Sequence, residues 1–103
     1  MIIGQTALLD IARKILKPLT ISEVRNIQGA DQLLCSILDR WALNSPERLK
    51  ALEKEGTISL LVRLVTQWEM EKEAMDSEEF YDMEMDGMSQ WEIFKQMDIN
   101  TEL

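Results

Sequence analysis

The densest run of chemically competent side chains lies between Glu69 and Asp86, where Glu69, Glu71, Glu73, Asp76, Glu78, Glu79, Asp82, Glu84 and Asp86 face a single base, Lys72. Carboxylates at this density could work as general acids and bases, as ligands for a hard cation, or as a negative surface for a basic partner. General acid work needs a carboxyl group with a raised pKa in a dry pocket, and nine acids in 18 residues bring some pair to a working separation by chance. Asp82, Glu84, Asp86 and Gly87 resemble the start of a calcium loop of the EF-hand kind. That pattern requires a bidentate Glu where this chain has Ile93, and Glu92 comes one place too early. No metal ligand set is therefore expected.

Other catalytic sets are missing. The chain has no histidine, so Ser-His-Asp and Cys-His nucleophile systems and His-ligated zinc cannot be built. Gly4, Gly29, Gly56 and Gly87 are too far apart for a glycine-rich phosphate cradle, and no cofactor is expected. Cys35 is the only cysteine, which forbids an internal disulfide and reads as a small core thiol. These absences point away from an enzyme.

The charge is unevenly placed. Of the net charge of −8 over 103 residues, residues 1–68 contribute +2, from 9 bases and 7 acids, and residues 69–103 contribute −10, from 2 bases and 12 acids. From Trp68 onward the chain also holds six of the seven methionines and five of the six aromatics. A purely solvating acidic tail is poor in such residues, so this segment should pack on its own domain or on a partner. Carboxylates beside apolar anchors suit a basic, nucleic-acid-binding groove on a larger protein: charge speeds the encounter and the anchors hold it. The expected contacts are Asp76, Glu78, Glu79, Asp82, Glu84 and Asp86, with Phe80, Tyr81 and Trp91 as anchors. An internal use is the alternative, in which Arg13, Lys14 and Lys17, or Arg48, Lys50 and Lys54, receive the acidic segment as a switch.

The elements that must position these groups read as helices. Thr6 can cap a first helix carrying Leu8, Ile11, Ala12, Ile15 and Leu16 at helical spacing before Pro18. Thr20-Ile21-Ser22-Glu23 is a capping-box pattern for a second, stopping at Gly29, and Asp31 caps a third with Leu34, Ile37, Leu38 and Trp41 in a stripe. Ser45-Pro46 opens a fourth, with Leu49 and Leu52 inward and Gly56 after its end. Thr57 opens a fifth, with Leu61, Leu64, Val65 and Trp68 on one face and a soft end toward Met75, where Glu69 and Glu73 repel. Ser77 starts a further helical stretch to Asp86 and Gly87, and Ser89-Gln90-Trp91-Glu92 is a second capping box. Against the helix, Tyr81, Met83 and Met85 alternate with Asp82, Glu84 and Asp86 as in a short strand over 81–86.

The expectation is an all-α, compact bundle of about five to six short helices, a single domain with a helical body over 1–68 and an acidic, Met- and aromatic-rich segment over 69–103. No apolar run approaches the roughly 20 residues of a membrane span, and the N-terminal residues lack a basic, then apolar, leader, which favours the cytoplasm. In size, acidity and lack of catalytic groups the chain resembles small phage- or plasmid-encoded nuclease antagonists, anti-CRISPR inhibitors among them, a likeness of outline carried by no motif. It implies an inhibitor or regulator that binds a larger protein with a basic surface, without direct nucleic-acid contact and without a membrane. Two alternatives stand beside it. Helices two and three could form a helix-turn-helix-like DNA-binding regulator, although Arg25 and Gln28 break its pattern and Arg40 is the only base on the reading helix. The Met-rich segment could instead complete a homo-oligomeric structural subunit.

Overall fold

Residues 9–103 are described by the computed structural model, and seven α-helices run between them with no strand among the described residues. They are α1 (Asp10–Ile15), α2 (Pro18–Arg25), α3 (Gln32–Asn44), α4 (Pro46–Glu55), α5 (Thr57–Met75), α6 (Glu78–Met85) and α7 (Gln90–Gln96). The fold is all-α, with one or two helices more than the sequence led us to expect, because α6 and α7 both form.

Local chemistry explains most of the boundaries. Asp31 accepts the Leu34 N–H at 3.0 Å and so caps α3 as expected. Pro46 opens α4 in the first turn, where its missing N–H costs nothing. The second helix departs from expectation: it starts at Pro18, two residues before the supposed capping box, and ends at Arg25. Pro18 fixes the first turn, so Thr20 lies inside the helix and is buried instead of capping it. Gly29 follows in the turn to α3 with φ of 79°, a left-handed conformation that glycine adopts without strain. Thr6 and Leu8 lie outside the described residues. The start of α1 is held from a distance, since both carboxylate oxygens of Asp39 on α3 accept N–H bonds at 2.9 Å, one from Leu9 and one from Ala12.

The main core forms where α1, α4 and α5 pack around α3. Leu34, Ile37, Leu38 and Trp41 of α3 meet Leu49 of α4 and Leu60, Leu64 and Trp68 of α5, with Ala12 and Val24 closing the edge. The inward register of α5 starts at Leu60; Leu61 and Val65, expected on that face, flank it half-buried. Cys35 packs at the margin of this core. Desolvation, helped by the nearby Asp39 charge, pushes its thiol pKa up.

Helix α5 runs unbroken to Met75. The Glu69–Glu73 repulsion, a few tenths of a kcal/mol for a like-charged pair on a helix, is outweighed by what the same turns bury, Glu71 against Arg40 and Ala74 in a second core. That second core joins Ala74, Phe80, Ile93 and Phe94, with Met83, Met88, Met97 and Ile99 around them. Two apolar clusters thus lie on one helix of about 28 Å, the main one reaching Trp68 and the smaller one starting at Ala74.

Candidate functional site

Ser77 breaks the chain after α5 and starts α6, its hydroxyl accepting the Phe80 N–H at 3.1 Å. Phe80 and Met83, three residues apart, then face α7, where the Phe80 and Phe94 rings tilt at 52° with centroids 5.8 Å apart. Gly87 ends the helix with φ of 91°, and the Met88 N–H returns to the Met83 carbonyl at 3.2 Å. Ser89 opens α7 with the expected capping box: its hydroxyl accepts the Glu92 N–H at 3.3 Å, and Glu92 accepts the Ser89 N–H at 3.0 Å. These bonds hold the Glu92 carboxyl below the usual carboxylate range.

The strand alternative over 81–86 is overturned. The Ser77 start signal, the Gly87 stop signal and the packing of Phe80 and Met83 into the second core set a helical period, so the sequence alternation carries no pleat. Glu78, Tyr81, Asp82 and Met85 instead fall at i, i+3, i+4 and i+7 on the side away from the second core.

Six expected contact residues, Asp76, Glu78, Glu79, Asp82, Glu84 and Asp86, are all exposed on or beside α6. Among the described residues the only ion pairs are those Arg40 makes with Glu71 and Glu102, so none of the six has a Lys or Arg partner. Tyr81 lies among them at 60% exposure, and Tyr81, Met75, Asp76 and Asp82 line one shallow groove of about 560 Å³. Phe80 requires a correction: at 4% exposure it is the centre of the second core and cannot serve as an exposed anchor. Trp91 is 54% exposed, but it borders a different recess, of about 570 Å³, with Arg40, Asn44 and Glu102. The arrangement therefore brings Asp76, Glu78 and Asp82 together with Tyr81, leaves Glu79, Glu84 and Asp86 on the flanks and end of α6, and adds Met85, 70% exposed, which sequence reasoning passed over. Asp82, Glu84 and Asp86 point to different sides of α6 and its end, and no group of three or more His, Cys, Asp or Glu side chains able to hold a metal ion converges among the described residues.

Sequence reasoning also missed a polar network beneath Trp91. Glu71, counted in the acidic run, is fully buried: Arg40 Nη2 donates to it at 2.5 Å and Gln67 Nε2 at 2.6 Å. Arg63 donates to Gln67 Oε1 at 2.9 Å and lies over the Trp41 ring at 5.0 Å, while Arg40 lies over Trp91 at 5.2 Å. The signal was the register, because positions 67 and 71 continue the inward stripe of Leu60 and Leu64 at helical spacing, with polar residues in it. The bases that receive the C-terminal segment are Arg40, Arg48 and Arg63. Of the two sets read from the sequence, Arg48 alone takes part, and what it receives is a carbonyl oxygen, with the α6 carboxylates left out.

No described helix is long and apolar enough to cross a membrane. Comparison with protein-family models, with curated proteins and with solved structures finds no match.

Proposed function

We propose that this chain is a non-enzymatic, cytoplasmic inhibitor or regulator that lays the outward face of α6 into a basic, nucleic-acid-binding surface of a larger protein. The observation that carries the reading is that face: carboxylates without basic partners, interleaved with exposed Tyr81 and Met85. Along the helix axis Glu78, Glu79, Asp82 and Glu84 span about 9 Å, one charge per about 3 Å, close to the ~3.4 Å spacing of phosphates along one nucleic-acid strand, with Glu78 and Asp82 facing outward and Glu79 and Glu84 on the two flanks. A concave surface built to bind phosphates would accept such a spacing around a helix, and the apolar pair gives the contact a salt-resistant part. The run of negative charge ends at Asp86 with no base in the last turn of α6, where the helix dipole favours cations, so a cationic partner would relieve repulsion within the helix itself.

The helix-turn-helix alternative is weakened by Arg40. It is the one base on α3, and its guanidinium is engaged by Glu71 and the Thr101 carbonyl. A reading helix without a free cation has little hold on a phosphate backbone.

The test is capture from nuclease-treated lysate of the source cell with wild type and with a variant in which the six carboxylates are changed to Lys, both first shown by circular dichroism to be folded. A basic nuclease, polymerase or repressor retained by wild type and lost by the variant, with affinity falling as salt rises, is the expected result. Equal capture by both proteins at physiological salt would sink the reading.

A further inference from the structure

Five side chains from three helices converge on one short, irregular stretch of backbone, in which the Glu102 N–H turns back to the Asn100 side-chain oxygen at 3.1 Å. Trp41 Nε1 and Arg40 Nε each donate to the Thr101 carbonyl at 3.0 Å, and Gln67 Nε2 donates to the Asn100 carbonyl at 2.9 Å. Arg63 Nη2 reaches the Glu102 carbonyl at 3.4 Å and Arg48 Nη1 the Leu103 carbonyl at 2.7 Å. Every carbonyl from residue 100 to residue 103 is therefore read by a donor of the body, and Leu103 packs against the main core. The donors are themselves fixed: Arg40 is held by Glu71, and Arg63 by Gln67 and the Trp41 ring. Such an array recognises peptide backbone plus one aliphatic side chain, the division of labour of peptide-binding grooves, in which main-chain bonds give affinity and a pocket gives selectivity.

The strap enters this cleft through a turn at Asp98, followed by Ile99 packed on the second core. Asp98, just past α7, is exposed and has φ of 59°, while the Ile99 N–H closes the helix end on the Phe94 carbonyl at 2.9 Å. A left-handed conformation is tolerated by Asp but not favoured, and moving Asp98 to extended backbone would free the strap without unwinding α7.

We propose that this cleft is a recognition site for a short peptide segment in the turned conformation of residues 100–103, filled in cis by those residues and filled in trans by the same residues of a second copy, so that two copies join by exchanging straps. The fit of this occupant is shown by its own seat, since the contacts made in trans are those already made in cis, and what differs is the turn at Asp98 with the adjoining Ile99 bond to Phe94. The cis strap competes at an effective concentration of about a millimolar, which keeps dilute protein monomeric.

The test uses the full chain labelled with ¹⁵N, in which the Trp41 indole N–H reports directly on the Thr101 carbonyl, and a peptide of residues 98–103 capped at both ends so that carbonyls alone are probed. Asp98→Val disfavours the left-handed turn and loosens the cis strap. We expect its Trp41 resonance to move to a released position and to return on adding peptide, at a peptide concentration about tenfold or more below that needed to displace the wild-type strap. At hundreds of micromolar it should sediment partly as a dimer, and Asp98→Gly should not. Arg63→Ala in the Asp98→Val background should weaken peptide binding about fivefold, as for one lost hydrogen bond. An unmoved Trp41 resonance in folded Asp98→Val, or no return with peptide, overturns the proposal. Should that variant not fold, the wild-type chain decides: at about 1 mM it must show dimer by sedimentation with Trp41 still in its bound position. Monomer at that concentration, with no response to excess peptide, overturns the proposal as surely.

Discussion

Replacing Arg40 by Ala should be among the most damaging single changes available to this protein. The guanidinium gives two bonds to the buried Glu71 carboxylate, at 2.5 and 3.4 Å, and one to the Thr101 carbonyl at 3.0 Å. Its removal leaves the Glu71 carboxyl fully buried and held only by Gln67 Nε2. Breaking a buried ion pair from one side costs about 3–5 kcal/mol. The Thr101 carbonyl keeps its bond from Trp41, so little is added there. Against a total stability of about 5–15 kcal/mol, the variant should lose about a fifth of it or more, and its Tm should fall by about 12 °C or more. Urea denaturation followed by far-ultraviolet circular dichroism gives the free-energy difference directly. Arg40→Met together with Glu71→Leu should recover most of the loss, because it removes both charges from the interior at similar volume. If Arg40→Ala costs less than about 1 kcal/mol, or the double variant is no better than the single, Glu71 is not the buried, Arg-dependent group described above.

Phe80→Ala should cost about 3–4 kcal/mol, confined to α6 and α7, so that amide exchange there rises to the open-chain rate while α3 stays protected. Asp98→Gly should raise stability by about 0.5–1 kcal/mol by accommodating the left-handed turn after α7, measured as a shift of the urea midpoint at constant slope. Because the capping box lowers the Glu92 pKa in the folded state, its contribution is present above the ordinary carboxylate pKa of about 4.3 and lost as pH falls through the folded value. The start of α7 should therefore fray on acidification below about pH 4, seen in the Ser89 and Glu92 amide signals, and the difference between wild type and Glu92→Gln should vanish there.

What was legible in the sequence was local. Asp31, Pro46, Ser77, Ser89 and Gly87 act on backbone groups within a few residues, and chemistry at that range is written into the order of residues. The second helix shows where such signals conflict: a proline two places ahead of a capping-box pattern sets the first turn by covalent geometry, and the box loses. The remainder depends on partners far apart in the chain. Arg40 and Glu71 are 31 positions apart, Asp39 and Leu9 are 30 apart, and Trp41 and Thr101 are 60 apart, and no periodicity ties one to the other. Glu71 was hidden by its neighbours, since one buried carboxylate among eight solvated ones has the same letters. For the α6 surface the sequence supplied the charges, but whether Phe80 or Tyr81 faced out depended on which side α7 covered.

The sharing of one long helix by two apolar clusters has a consequence for how this protein can vary. The outward side of α6 adds nothing to the main core, and α6 itself is held by Phe80, Met83 and its two end signals. Substitutions at Glu78, Glu79, Tyr81, Asp82, Glu84 and Met85 should therefore change what the surface meets while leaving the scaffold intact. In a saturation library sorted for folded protein, those six positions should accept nearly any residue, with proline tolerated at Glu78 in the first turn and excluded farther along, whereas Leu34, Trp41, Leu64 and Glu71 should accept almost none. A binding surface freed in this way from the duty of holding the fold together can follow a changing target without a compensating change elsewhere.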